Sequence, residues 1–249
     1  MTDETLSDKR IVEFVKKLRE AAGANLESVI LFGSAVAGDF HPEFSNLNLF
    51  CVLRDSSFRA LLPLVPAVKW WDSQKQPPPL FMTRDEINRS TDVFTIEFLD
   101  IQQHRRVVFG EDVFQNLAIP PKLHRAQVEY ELREKLALLR QHLLLAAGND
   151  KRLWEVLLRS VSSFVTLFRH ALMVLGHDAP ASKSETVDQL SKHIHFDASA
   201  VVQVLQVREG KATRKQFVVA DLFSRYLAAV EHVTDTVDKM LDSGGGGAL

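Results

Sequence analysis

Apolar residues in the first half of the chain change their spacing from one segment to the next. Ile11, Val12, Phe14, Val15 and Leu18 fall on one helical stripe, which predicts a helix over about residues 7–22, ended by Gly23. Residues 28–32 (SVILF) form a short β-rich run stopped by Gly33, and residues 47–53 (LNLFCVL) form a second. Residues 56–74 have a helical pattern that Pro63 and Pro66 break or kink. After the stiff residues 77–79, residues 80–82 read as a short strand, and Thr83 to Glu86 (TRDE) match a capping box that starts a short helix. Residues 93–99 (VFTIEFL) alternate apolar and polar positions and predict a further strand. Strands and helices in this order predict an α/β or α+β sheet domain.

The second half has almost no strand signal. Pro120 and Pro121 open a helical pattern that runs to about residue 147, and Gly148-Asn149-Asp150 reads as a helix stop followed by an N-cap. Further helices are expected over about 151–175, from the capping box Ser182 to Glu185 to about 195, from Asp197 to about 208, and over about 214–241. Short connections favour antiparallel neighbours, so this half is expected to be an all-α bundle. The domains expected are 1–118, 119–243 and a flexible Gly-rich end over 244–249 that is left out of the fold argument.

Composition narrows the class more than the function. The chain has 249 residues, 46% apolar and 25% charged, with a formal charge of −2 from 30 basic and 32 acidic residues. That balance gives no electrostatic footprint for nucleic acid. The single cysteine, Cys51, excludes an intramolecular disulfide framework and a cysteine-rich zinc site. The polar first residues carry no apolar leader core, and no uninterrupted apolar run approaches the roughly 18 residues of a membrane span. A cytoplasmic protein without a membrane partner is expected.

The stretch that carries chemistry is residues 31–53. A strand runs into Gly33-Ser34, Gly38 follows at the spacing G-S-x-x-x-G, and a polar loop leads through Ser45 to Asn46-Leu47-Asn48-Leu49 on a new strand. Gly33 allows a sharp turn and close approach of the backbone to a bound group. Ser34 offers a hydroxyl and an N–H at a helix start, an arrangement suited to anions. Strand alternation puts residues 46 and 48 on one face.

This stretch resembles the nucleotidyltransferase superfamily, which includes kanamycin nucleotidyltransferase and the antitoxin-type transferases. The family pattern is G-S, a short helix start, then S-D-x-D-L. Its two-domain members pair an α/β (α+β) mixed-sheet catalytic domain with a C-terminal helical bundle, and the resemblance implies that architecture here. It also implies nucleotide-binding positions at Gly33, Ser34, Gly38 and Ser45. In the family two Asp hold Mg²⁺, which grips a nucleoside triphosphate, and a third carboxylate lies on a later strand. The metal positions fall on Asn46 and Asn48. The third falls in the strand expected over 93–99, with Glu97 the first choice as catalytic acid and Asp100 the second.

Two departures weaken the metal and phosphate site. An Asn carbonyl ligates Mg²⁺ without the negative charge that a hard cation favours. At an effective dielectric of about 20, unit charges about 4 Å apart interact by about 4 kcal/mol. Even a net loss of about 3 kcal/mol is on the order of a hundredfold in affinity. Ala37 stands where the family often places a basic residue.

The expected function is a catalytically impaired nucleotidyltransferase-fold protein that retains binding of a nucleotide or of a protein partner, including a second copy through the helical domain. An active enzyme is the alternative. It would move a nucleoside monophosphate from a triphosphate to a hydroxyl of a small molecule or protein, using Mg²⁺, Glu97 and a relocated acid from Asp39, Glu43 or Asp55. The third reading is a structural or regulatory module with an empty cleft. Other groups have plainer expectations. Trp70, Trp71 and Phe81 are expected in packing before a base pocket, and His104-Arg105-Arg106 at a solvated helix end before a phosphate. Ser160, Ser162 and Ser163 are expected to let helices pack closely. Arg133 to His142 is too long, and Arg169-His170 too short, for the Arg-to-His spacing of HEPN-type ribonucleases.

Overall fold

The structure is a computed structural model and describes residues 8–37, 46–120, 123–180 and 182–244, with side chains through residue 239. It contains two compact units, Met1–Pro121 and Lys122–Leu249. Gly38 and Ser45 lie outside the described residues, as do the candidate acids Asp39 and Glu43 and the end of the chain over 245–249.

In the first unit α1 (Lys9–Ala22) opens on an Asp8 cap, whose carboxylate accepts from the Arg10 N–H at 2.9 Å, and closes at Gly23. Strands β1 (Leu26–Phe32), β2 (Asn48–Leu53), β3 (Leu80–Thr83) and β4 (Arg105–Gly110) make one mixed sheet in the order β3-β2-β1-β4. β1 runs antiparallel to both β2 and β4, and β2 runs parallel to β3. The prolines act as expected. The segment after β2 is split into α3 (Phe58–Leu61), a 3₁₀ turn (Leu62–Leu64) and α4 (Val65–Ser73). The Thr83–Glu86 capping box opens α5 (Arg84–Arg89).

Two elements of the first unit differ from the sequence expectation, one helix and the strand β4. The segment expected as a strand over 93–99 is helix α6 (Thr95–Gln103). Its apolar residues satisfy both periods. Phe94, Phe98 and Ile101 sit at i, i+4 and i+7, and the helical solution buries Phe98 and Ile101 on the sheet, with Ile96 buried as well. The fourth strand is β4, where the run RRVVFG pairs with β1.

The sheet has two packed faces. One places Val29, Leu31, Leu49, Cys51 and Leu53 under α1 and α4, with Phe14 and Trp71 fully buried and 4.7 Å apart between ring centroids. The other places Ile30, Phe50 and Val52 under Phe98, Ile101 and Phe114. Phe114 meets Phe50 edge-on at 5.1 Å. Asn48 belongs to this second face by strand alternation.

The second unit is helical throughout its described residues: α7 (His124–Ala146), α8 (Asp150–Val174), α9 (Lys183–Ile194), α10 (Ser199–Arg208) and α11 (Val219–Gly244). Asn149 caps α8 and Ser182 caps α9, as the sequence signals indicate. α11 continues through Ser243 and Gly244, into the end expected to be flexible. α8 packs against each of the other four helices. It is long and apolar enough to span a membrane by composition, at a mean hydropathy of 1.2, yet 56% of that window is buried in the protein, as befits a core helix. Ser160 on α8 meets the buried Tyr226 hydroxyl of α11 at 3.1 Å, so this serine does more than permit close packing.

Candidate functional site

One end of the sheet carries the motif. Phe32 pairs with Asn48 on β2 and with Arg105 on β4, so these three side chains form a row on the second face. The chain leaves β1 at Gly33, whose φ of +78° suits glycine. The Gly33 N–H donates to the His104 carbonyl at 3.0 Å, and its own carbonyl accepts from Val36 and Ala37 at 2.9 and 3.0 Å. A Cβ added to Gly33 would stand 3.2 Å from Asn48 Nδ2. The Asn48 amide therefore lies directly against the Gly33 turn. Asn46 is exposed two residues earlier, and the Leu47 N–H between them donates to Gln76 Oε1 at 2.8 Å, which fixes the entry to β2.

Ser34 begins α2 (Ser34–Ala37), which is a single turn of four residues. Two of its N–H groups return to Gly33, and so short a helix has little macrodipole. The anion-site expectation for this helix start is weaker than the sequence motif indicated.

The third carboxylate does not take the place assigned to it. Glu97 sits on helix α6, exposed to solvent, while its neighbours Ile96 and Phe98 are buried, Phe98 against the sheet. Asp100 is on the same helix. The later strands offer no acid on the Asn48 face. β3 presents Leu80, paired with Phe50 and 45% exposed, and then Met82; β4 presents Arg105 and Val107. His104 is the C-cap of α6, so the run His104-Arg105-Arg106 does begin at a helix end, but Arg105 and Arg106 open β4, and Arg105 is held by Asp112 at 2.8 Å.

Asp55 is excluded as a relocated ligand by position. It follows the far end of β2, seven residues beyond Asn48, or about 20 Å at roughly 3.3 Å per residue. There its carboxylate accepts from the Ser57 N–H at 2.8 Å and the Ser57 hydroxyl at 3.0 Å. Trp71 and Phe81 lie on the opposite sheet face from Asn48, and the indole N–H of Trp71 donates to the Pro77 carbonyl at 2.9 Å. They are packing residues, as is Cys51, whose thiol is pushed up out of its ordinary range by complete burial. In the helical unit His170 is buried with its Nδ1 2.8 Å from His124 Nε2.

Among the described residues no group of three or more His, Cys, Asp or Glu side chains is placed to hold a metal ion. The side chains at the family's metal positions are two neutral amides, with leucine on the adjacent strand. This donor set does not fit a hard divalent cation such as Mg²⁺.

Two comparisons with known proteins bear on this geometry. Residues 9–102 match the nucleotidyltransferase domain family. The fold is similar to that of a spectinomycin adenyltransferase from Enterococcus faecialis, solved with ATP and spectinomycin. The TM-score is 0.58 at 14% identity, over 90% of this chain and 98% of that one. No curated protein matched the chain. The chain thus carries a nucleotidyltransferase-superfamily domain over residues 9–102, followed by a helical region.

Proposed function

We propose that the protein binds a nucleotide at the Gly33–Asn48 end of the sheet with little dependence on a divalent metal, and that nucleotidyl transfer is impaired. The observation that carries this reading is the placement of the Asn48 amide against the Gly33 turn, where the family frame calls for a metal-binding carboxylate. An amide keeps donors and acceptors for a phosphate or sugar but gives up the charge that grips Mg²⁺. Leu80 and Met82 on β3, and Arg105 and Val107 on β4, support the same reading, because no strand of this face supplies a compensating acid. The similar Enterococcus protein was solved with ATP, which supports a nucleotide as the ligand class.

The test is the double variant Asn46→Asp, Asn48→Asp. Two carboxylates on an intact frame should create Mg²⁺-dependent ATP binding at least tenfold tighter than that of the unaltered protein, read by calorimetry with and without Mg²⁺. If the unaltered protein already shows that metal dependence and turns over ATP, the impairment reading fails and the active enzyme stands.

A further inference from the structure

The helical unit carries a groove lined by its own residues. It lies between the C-terminal half of α7 and the N-terminal half of α8, antiparallel neighbours joined through residues 147–149. Its volume is about 540 Å³, within the range of roughly 300–1,000 Å³ common for small-molecule sites. The floor is apolar: Leu139 and Phe164 are buried, Val156 is half-buried, and Leu138 and Leu145 remain 42% and 75% exposed on the α7 wall. An exposed leucine pair beside a cavity has more apolar surface to lose than a solvated helix face needs.

The rim has a sign. Arg152 and Arg159 on α8 and Lys135 on α7 line it against one carboxylate, Glu155, with His142 also on the α7 wall. Lys135 is paired with Glu131 at 3.0 Å. Arg152 and Arg159 are exposed, lie two turns apart on one side of α8, and have no ion pair within 4 Å among the described residues. Cations of this kind beside an apolar floor complement a molecule with one anionic group and one apolar body. The same charge disfavours a second copy of this face, because a two-fold contact would bring its own cations together.

We infer that the α7–α8 groove is a binding site for a small amphipathic organic anion, a carboxylate, sulfonate or phosphate joined to an aromatic or branched apolar body. The apolar body rests on Leu139, Val156 and Phe164, and the anionic group sits at the Arg152–Arg159 rim. Glu155 lies between those two arginines and opposes the ligand, so it tunes affinity downward. Ser163, exposed on the groove wall, sets how large a body enters.

The probe is 8-anilinonaphthalene-1-sulfonate, with N-phenyl-1-naphthylamine as its uncharged counterpart, each titrated by fluorescence into the full chain. One sulfonate equivalent should bind, at least tenfold tighter than the neutral amine. Arg152→Glu with Arg159→Glu should weaken it at least tenfold, and Ser163→Trp should abolish it by filling the groove. Glu155→Gln should tighten it two- to threefold, a gain that loss of folding cannot imitate. All four substitutions are at exposed positions, and circular dichroism checks that each variant is folded. Binding that ignores the arginine reversal, equal affinity for the neutral amine, or no stoichiometric binding would each overturn the inference. So would self-association by sedimentation that Ser163→Trp abolishes without any sulfonate binding, since that assigns the groove to a second copy.

Discussion

The two ends of the one sheet are built differently. At the end formed by Leu26, Leu53, Thr83 and Gly110, charge is kept and paired. Arg84 bridges Glu27 and Glu111, each at 2.7 Å, and Arg54 adds a contact to Glu27 at 3.3 Å. The buried Ser28 hydroxyl lies within hydrogen-bond reach of the Glu111 and Phe109 carbonyls, at 2.7 and 3.0 Å. At the opposite end, Phe32, Asn48, Leu80 and Arg105 terminate their strands, and the positions the family frame gives to carboxylates are neutral. The sheet therefore has a structural end tied by a network of acids around Arg84 and a site end where the Gly33 turn, the Leu47–Gln76 bond and the Arg105–Asp112 pair surround a neutral amide. Changes at the first should cost stability, and changes at the second should alter binding more than folding.

Gly110→Ala should break the structural end most severely. Its φ is +78°, and an added Cβ would lie 1.9 Å from the Glu27 carbonyl oxygen, which is backbone and cannot move aside. A loss of more than about 3 kcal/mol, or failure to fold, is expected by thermal or urea denaturation.

Gly33→Ala is the matching change at the site end. The φ is also +78°, but the nearest atom is the Asn48 side-chain amide at 3.2 Å, which can give way. A cost of about 1–2 kcal/mol is expected, with nucleotide affinity falling further than stability because Asn48 is displaced. Equal costs for the two glycines would dissolve the distinction between the ends.

The smallest effect is on the structural end and depends on pH. Glu86 is held below the usual carboxylate range, first by the Thr83 N–H that donates to it at 2.6 Å, and also by the hydroxyls of Thr83 and Ser56. A lowered folded-state pKa means the stabilisation is present above the unfolded value of about 4.3. It is lost as pH falls through the lower folded value. Glu86→Gln should therefore reduce Tm at pH 7 and match the unaltered protein once both are well below pH 4. The carboxylate is largely exposed, so the effect at pH 7 should be a degree or two.

Much of the fold was legible in the sequence. The stripe of Ile11, Phe14 and Leu18 marked α1, and Pro63 and Pro66 marked the broken helix. Asn149 and Ser182 marked the starts of α8 and α9. The error at 93–99 arose because Phe94, Ile96 and Phe98 alternate while Phe94, Phe98 and Ile101 also make a helical stripe. Over so short a segment the two periods compete, and only packing against Phe50 and Phe114 selects the helix. β4 went unseen because two arginines precede its Val-Val-Phe core, yet the run closing on Gly110 was a usable signal. The candidate site was read from the motif at Gly33, Asn46 and Asn48, and its proposed third residue rested on which segment forms a strand, so the misread segment drew attention to Glu97, which lies on α6. The α7–α8 groove had no signature, because its cations are spread over two helices at ordinary helical spacing.

The most direct measurement is calorimetric titration of the unaltered protein with ATP, once with Mg²⁺ and once with chelator. Binding of similar affinity in both, within about threefold, is the expected result. Binding tighter than about 10 μM, roughly −7 kcal/mol, that disappears on chelation would contradict the reading of Asn46 and Asn48 as a site without a metal grip.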